Sequence, residues 1–252
     1  MAKIRQSFAW WCVAARAGDP ASFLRAAKEI GYEAVELIPH ALWDIARDAG
    51  LVIATEGAGE IGQGWNRKEN HADLLRIVAQ KLDLAVEYQI PNLIVFSGNR
   101  AGLGDAEGAR TAAEGLKQAA ALAEAKGVTL VLELLNSKVD HPDYQCDHTA
   151  WGAQVTDQVA SPCLKLLYDI YHMQIMEGDI IRTLRDNMQR IGHIHTAGNP
   201  GRNDLDEEQE LYYPPILRAI RDSSFTGYVT QEFVPKGDPL AALRHAYELC
   251  NV

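Results

Sequence analysis

The feature that most constrains the fold is an alternation of short apolar runs, typical of strands, with longer segments that have helical periodicity. The alternation repeats eight times along the 252 residues, and this pattern predicts parallel β–α units. The predicted strands are Ile4 to Trp10, Ala34 to Leu37, Val52 to Thr55, Asn92 to Phe96, Thr129 to Leu134, Leu164 to Asp169, Ile191 to His195 and Tyr228 to Glu232. The helices that follow them are Pro20 to Ile30, Trp43 to Ala49, Lys68 to Tyr88, Asp105 to Lys126, Thr149 to Val159, Asp179 to Asn187, Tyr213 to Ser223 and Pro239 to Asn251. Eight units in a chain of this length predict a (β/α)8 TIM barrel, with an open doubly wound sheet as the alternative.

Residues at the predicted helix ends agree with these boundaries. Gly31 and Gly127 stand directly after two of the helices, where glycine commonly ends a helix in left-handed backbone. Asp19-Pro20 and Asp238-Pro239 each place a capping aspartate before a proline at the first helical position. No Pro/Gly/Ser-rich linker divides the chain. We therefore predict a single α/β barrel domain over residues 1–252.

Charge and composition argue against several classes of partner. Asp and Glu number 34 against 24 Lys and Arg, which gives a net charge of −10, and no basic run offers a surface for nucleic acid. No apolar run approaches the roughly 18 residues that a membrane span requires. The four cysteines form no C-x-x-C pair, and the first residues do not resemble a secretory signal. We expect a cytoplasmic protein that binds neither nucleic acid nor a membrane.

Four consecutive predicted strands, the fifth to the eighth, each end in a side chain that binds metals. They are Glu133, Asp169, His195 and Glu232. The active site of a barrel lies at the carboxyl ends of its strands, so adjacent strands bring these side chains to one point. Three carboxylates and one imidazole form a hard ligand set that suits Mn2+, Mg2+ or Co2+. A lone carboxylate more often caps a helix or pairs with arginine, and only the conjunction of four predicts one divalent metal ion.

The segments that contain these residues match a known pattern. They are Leu132–Asn136, Tyr168–Gln174, Ile191–His195, Asn199–Arg202, Glu210–Tyr213 and Glu232–Pro235, and the run Asp169 to Gly178 is the most specific. Together they resemble the hydroxypyruvate isomerase branch of the xylose isomerase-like barrels, which is similar to ketose 3-epimerases and inosose-processing enzymes. The resemblance implies that the four strand-end residues hold one divalent metal and that two glutamates transfer protons. Enzymes that act on hydroxypyruvate tend to carry Gln where His195 stands, whereas the epimerases carry His, and the loop Glu56 to Gly64 also departs from their pattern.

The same residues suit proton transfer next to a carbonyl group. Removing such a proton is slow because negative charge accumulates on the carbonyl oxygen, and a divalent cation stabilises that charge. A base beside the carbon must then take the proton. We predict that Glu133 and Glu232 form this acid/base pair, with a cis-enediolate intermediate. Return of the proton to the neighbouring carbon gives an isomerase, and return to the opposite face gives an epimerase.

Three further residues are predicted to bind substrate. His172 follows Asp169 closely enough to reach a substrate oxygen, with a helix-capping or surface histidine as the alternative. Arg202 suits a substrate carboxylate, although it could instead pair at the surface with Asp204 or Asp206. Glu210 is expected to hold the second ring nitrogen of His195 or to line the site.

Aromatic residues and a second histidine lie near the same strand ends. Trp10, Trp11 and Trp65 are candidates for an aromatic wall around a small substrate, with core packing expected for at least one of the first two. His193 is expected to pack outside the barrel, away from the ligand position of His195.

The favoured function is an isomerase acting on hydroxypyruvate or a small keto-sugar, and a ketose 3-epimerase is the close alternative. A sugar-binding barrel without catalysis, or one chain of a hetero-oligomeric enzyme acting on 3-keto-glycosides, is the competing class. DNA repair of the endonuclease IV type is disfavoured because it requires a histidine-rich set for several zinc ions and a basic groove. Dimers or tetramers are usual among relatives, so a homo-oligomer is compatible with the chain.

Overall fold

The computed structural model describes residues 4–252, and strands within that range form a nearly closed barrel. All the strand pairs are parallel. The strands are β1 (Arg5–Ala9), β2 (Ala34–Glu36), β3 (Val52–Ile53), β4 (Thr55–Gly57), β5 (Asn92–Val95), β6 (Thr129–Glu133), β7 (Leu164–Asp169), β8 (Ile191–Thr196) and β9 (Tyr228–Gln231). Their order in the sheet is β3-β2-β1-β9-β8-β7-β6-β5-β4.

The ring closes at the third predicted strand, which the structure divides in two. β3 and β4 are the two end strands of the sheet, yet only Ala54 separates them in the chain. β3 pairs with β2, whereas β4 pairs with β5. One chain segment thereby joins both ends of the sheet, and the nine strands occupy eight positions around the ring. The (β/α)8 barrel is confirmed, and the open doubly wound sheet is wrong.

Helices surround this ring. They are α1 (Trp10–Val13), α2 (Pro20–Ile30), α3 (Trp43–Asp48), α4 (His71–Tyr88), α5 (Asp105–Lys126), α6 (Thr149–Val159), α7 (Ile170–Met176), α8 (Ile180–Asn187), α9 (Tyr213–Arg221) and α10 (Pro239–Cys250). The eight predicted helices are confirmed with ends that shift by up to three residues. The short helices α1 and α7 were not predicted, because each follows its strand without a turn signal. No helix among residues 4–252 is long and apolar enough to cross a membrane.

The predicted helix-end residues adopt the expected geometry. The side chain of Asp19 accepts a hydrogen bond from the backbone N–H of Ser22 at 2.9 Å, and that of Asp238 accepts one from Ala241 at 2.7 Å. These bonds satisfy N–H groups that the first helical turn leaves without a partner. Gly127 ends α5 at φ 67°, which glycine adopts without steric cost.

The main hydrophobic core lies between the strands and the surrounding helices, and smaller clusters fill the inside of the ring. The large core cluster contains apolar side chains from strands and helices alike. Two separate clusters consist of strand residues and their neighbours: Ala34, Ala54 and Tyr228, and Ile94, Val131 and Leu167. The barrel is therefore packed along its axis.

Replacing Phe8 by Ala is expected to lower the free energy of unfolding by about 3–5 kcal/mol. Phe8 is completely buried, and its ring packs edge-on against Tyr32 and Phe23 with centroids 5.3 and 6.2 Å apart. Urea denaturation followed by circular dichroism measures the change. Val86→Ala, at a position that is 51% exposed, serves as the control and should change stability by less than about 0.5 kcal/mol. A loss below about 1 kcal/mol in Phe8→Ala would contradict the packing argument.

Candidate active site

The four predicted metal ligands meet at one end of the barrel. Glu133 ends β6, Asp169 ends β7, His195 is the penultimate residue of β8, and Glu232 follows β9 directly. These strands are neighbours in the sheet, so their carboxyl ends share one edge. One ligand atom from each side chain lies within 4.8 Å of the other three, and all four residues are buried. The structure thus brings together the set that the sequence predicts.

His195 lies at the centre of this set. Its Nδ1 atom is 2.6 Å from Oε2 of Glu232, 3.6 Å from Oε1 of Glu133 and 3.8 Å from Oδ2 of Asp169. Neither ring nitrogen makes an aligned hydrogen bond within the described residues, although the side chain is completely buried. A buried polar atom without such a partner is costly, and a metal ion would satisfy Nδ1. The donor set therefore fits a hard divalent ion.

The other side of His195 faces Glu36, which the sequence analysis did not identify. Glu36 ends β2 and is completely buried. Its Oε1 atom lies 2.8 Å from Nε2 of His195, and its Oε2 atom lies 2.7 Å from Nε2 of His193. Thr230 donates a hydrogen bond to the same Oε2 at 3.0 Å. A carboxylate, two imidazoles and a hydroxyl thus form a network just below the predicted metal ligands.

The prediction that His193 packs outside the barrel is wrong. Successive strand side chains alternate between faces, so residues two apart share a face. His193 and His195 both point inward, and their rings meet edge-on with centroids 5.2 Å apart.

The prediction that Glu210 holds the second nitrogen of His195 is also wrong, because Glu36 lies there. Oε1 of Glu210 instead accepts hydrogen bonds from the side-chain amides of Asn199 and Gln174. Glu210 is an exposed residue of the loop before α9. That Glu210 lines the substrate site remains a prediction.

Arg202 joins the cluster rather than the surface. Its Nη2 donates to Oδ2 of Asp169 at 3.0 Å and to Oε2 of Glu232, and its Nη1 donates to Nε2 of His172 at 2.7 Å. The alternative pairing with Asp204 or Asp206 is wrong, because both aspartates bind Lys236. His172 is 1% exposed, which excludes a surface histidine. The structure therefore places His172 and Arg202, two of the three predicted substrate-binding residues, beside the carboxylates.

Trp11 contacts the site in a way that its position in the sequence does not reveal. Its indole N–H donates to Oε1 of Glu232 at 2.9 Å, while Arg202 contacts the other oxygen of that carboxylate. The Trp11 side chain is 46% exposed, whereas Trp10 and Trp65 are buried. Of the three tryptophans, only Trp11 is both exposed and bonded to a predicted catalytic group.

Burial and neighbouring charges shift the pKa values of the cluster's members in opposite directions. Burial raises the pKa of Glu133 to about 8, opposed by His195 and reinforced by the negative charges of Glu232 and Asp169. Burial also acts to raise the pKa of Glu232, but the charges of His195 and Arg202 outweigh it and lower this pKa to about 2. Desolvation and Arg202 hold the pKa of His172 well below its usual value. The two glutamates thus occupy electrostatically different environments within one cluster.

Comparison with known proteins identifies the family of this arrangement. The family model described as "Xylose isomerase-like TIM barrel" matches residues 24–250. A hydroxypyruvate isomerase of Escherichia coli is 33% identical over 53% of this chain and 51% of its own length. A 2-oxo-tetronate isomerase of Pectobacterium atrosepticum is 26% identical over 84% of this chain and 86% of its own.

Solved structures share the fold over nearly the whole chain. An "AP endonuclease, family 2" from Brucella melitensis superposes with a TM-score of 0.82 at 25% identity, and the match covers 95% of this chain and 97% of that one. An L-ribulose 3-epimerase superposes with a TM-score of 0.79 at 19% identity, covering 98% and 93% of the two chains. The barrel fold is therefore common to proteins with different names.

Proposed function

The chain belongs to the xylose isomerase-like TIM barrel family and is an enzyme of the isomerase and epimerase kind, and from that premise we propose that it is a divalent-metal-dependent isomerase of small hydroxy-keto acids or keto-sugars. The favoured reaction converts hydroxypyruvate to tartronate semialdehyde. The observation that carries the proposal is the convergence of three carboxylates and one imidazole within 4.8 Å at the carboxyl ends of β6 to β9. Two of the carboxylates belong to glutamates that can exchange protons with a substrate held between them.

In this proposal Glu133, Asp169, His195 and Glu232 hold one Mn2+, Mg2+ or Co2+ ion, which would stabilise negative charge on the substrate carbonyl oxygen. Glu133 and Glu232 move the proton between the neighbouring carbon atoms. Both glutamates are buried, so water competes poorly for that proton. His172 and Arg202, which contact each other beside Asp169, orient the substrate oxygens.

A ketose 3-epimerase is the alternative within the same site. The two glutamates would then return the proton to the opposite face of the same carbon rather than to its neighbour. His195 favours this reading, because the sequence resemblance associates histidine at that position with epimerases. Processing of keto-glycosides or inososes needs the same proton transfer on a larger substrate. A sugar-binding barrel without catalysis is disfavoured, because it does not require two glutamates beside a metal.

Cleavage of DNA is disfavoured despite the name of the Brucella structure. The four-residue cluster contains one histidine and three carboxylates, a set that suits one hard ion better than several zinc ions. The chain carries a net charge of −10, which opposes binding to a polyanion.

Deuterium exchange tests the proposed function. The Mn2+-loaded or Mg2+-loaded protein is incubated in D2O with hydroxypyruvate, trioses, tetruloses, pentuloses, hexuloses and inososes, and each compound is analysed by mass spectrometry. A gain of one mass unit in one compound, lost in the EDTA-treated control, supports metal-dependent proton transfer next to a carbonyl. Retention times of the products separate isomers from epimers. If no compound exchanges above the control while the protein still binds metal, the isomerase proposal is wrong.

Replacing Trp11 by Phe is expected to lower kcat/KM about tenfold. The substitution retains the ring but removes the N–H that donates to Oε1 of Glu232, and hydrogen bonds to charged groups contribute about 1.5–3 kcal/mol. The thermal unfolding midpoint should not change, because the side chain is partly exposed. Steady-state kinetics on the substrate identified by deuterium exchange measures the effect. Tyr212→Phe, at an exposed position, is the control, and equal kcat/KM values in the two variants would contradict the role of the indole N–H.

A further inference from the structure

A buried carboxylate with no place in the proton-transfer scheme lies on the inner side of the metal-binding cluster. Glu36 is completely buried, as are His193 and His195, which flank it. Burying a charged carboxylate without partners is strongly unfavourable. Glu36 therefore requires its two imidazole neighbours and the Thr230 hydroxyl, and its position is determined by them.

The contacts of Glu36 distinguish its two oxygens. Oε2 accepts from the Thr230 hydroxyl at 3.0 Å and lies 2.7 Å from Nε2 of His193. Oε1 lies 2.8 Å from Nε2 of His195 and has no other polar partner within the described residues. One oxygen thus anchors the carboxylate to β8 and β9, while the other is left to act on His195.

The contacts of His195 are equally asymmetric. Nε2 faces the Glu36 carboxylate, whereas Nδ1 faces the carboxylates of Glu133, Asp169 and Glu232 at 2.6 to 3.8 Å. A carboxylate beside one ring nitrogen favours a proton there, which leaves the lone pair on the other nitrogen. Carboxylates that contact the outer nitrogen of a metal-binding histidine also fix the ring orientation and increase its basicity.

We propose that Glu36 is the positioning residue of the site: it holds the proton of His195 on Nε2 and directs the Nδ1 lone pair toward the divalent ion. This inference rests on the proposed function, because it assumes that the cluster of Glu133, Asp169, His195 and Glu232 binds the metal. His193 and Thr230 act one step further out, by fixing the Glu36 carboxylate.

The same contacts have a second interpretation, in which Glu36, His193 and His195 form a separate metal site. One potential ligand atom from each of these residues lies within 4.8 Å of the other two. The 2.7 Å between Nε2 of His193 and Oε2 of Glu36 is a hydrogen-bond distance, and the 2.8 Å between Nε2 of His195 and Oε1 of Glu36 is that of an ion pair. The Thr230 hydroxyl also occupies one coordination direction of Oε2. We therefore interpret Glu36 as a positioning residue rather than as a ligand of a second metal ion. The number of ions bound per chain distinguishes the two interpretations.

Isothermal titration of the metal-free protein with Mn2+ tests the proposal without relying on turnover. The wild type is expected to bind one ion per chain. Glu36→Gln should also bind one ion but with a Kd raised about 10- to 100-fold, the usual cost of losing such a partner. The matched control is Glu56→Gln, which makes the same chemical change on β4, where Glu56 pairs with Lys81. Its Kd should equal that of the wild type.

Each result decides the proposal. An unchanged Kd in Glu36→Gln overturns it, as does binding of two ions by the wild type with loss of only one in the variant. If Glu36→Gln does not fold, Glu36→Asp replaces it in the test. Aspartate keeps the negative charge, but its shorter side chain places the carboxylate farther from His195. An unchanged Kd in Glu36→Asp overturns the proposal. If the wild type binds no metal, the positioning role and the proposed function both fail. Weakened Mn2+ binding without turnover on any compound supports the role of Glu36 and contradicts only the isomerase.

Discussion

The Glu133→Gln protein, loaded with Mn2+, is expected to exchange the substrate proton with D2O about 10^3-fold more slowly than the wild type. General acid–base catalysis contributes about 10^2- to 10^4-fold, and a neutral amide can neither accept nor return the proton. Glu133 ends β6 and its Oε1 lies 3.6 Å from Nδ1 of His195, so the substitution alters the cluster that we propose to hold the metal. Mass spectrometry of deuterium incorporation over time measures the rate.

A matched variant separates this loss from a general effect of removing a carboxylate. Glu208→Gln makes the same change at an exposed position in the loop before α9 and should leave the exchange rate unchanged. The Glu133→Gln protein must also retain bound Mn2+, measured by elemental analysis of the dialysed protein, for the loss to be assigned to proton transfer. An exchange rate within a factor of three of the wild type would show that another group removes the proton.

Removing the metal with EDTA is expected to lower the turnover rate at least about 10^3-fold relative to the metal-loaded protein. Re-addition of Mn2+ should restore the rate. The physical reason is that the carbonyl oxygen loses the charge stabilisation on which proton removal depends. Chelation leaves Glu133, Asp169 and Glu232 close together, with Arg202 and His195 as their counter-charges. Product formation on the substrate found by deuterium exchange measures the effect.

The same treatment should lower the thermal unfolding midpoint. An ion that binds only the folded state stabilises it by about 2.7 kcal/mol at a concentration 100 times its Kd. The four side chains that would hold the ion come together only in the folded chain. Differential scanning calorimetry with and without saturating Mn2+ provides the comparison. The same measurement with Mg2+ and with Ca2+ ranks the ions by the increase in the unfolding midpoint that each produces. Full turnover in the chelated protein with an unchanged midpoint would overturn the metal dependence.

The amino-acid sequence by itself determined the barrel and the four residues of the cluster. The period of the apolar residues is a local property that distinguishes strands from helices without knowledge of their neighbours. Parallel strands in a barrel have their carboxyl ends at one edge, so Glu133, Asp169 and Glu232 could be placed together from their positions at strand ends. Asp19 and Asp238 were equally predictable, because a capping residue acts on the helix that follows it.

The tertiary structure alone decided which side chains support that cluster. Glu36 contacts His193, which lies 157 positions further along the chain. Trp11 contacts Glu232, which lies 221 positions further along. Such contacts depend on how the ring closes and on the register between β1, β2, β8 and β9, which no local pattern encodes. A carboxylate beside the second nitrogen of His195 was predictable, because metal-bound imidazoles usually donate that N–H to one, but the barrel brings Glu36 there across its interior rather than Glu210. Side chains converge on the axis of a closed barrel from every strand, and sequence distance does not measure that convergence.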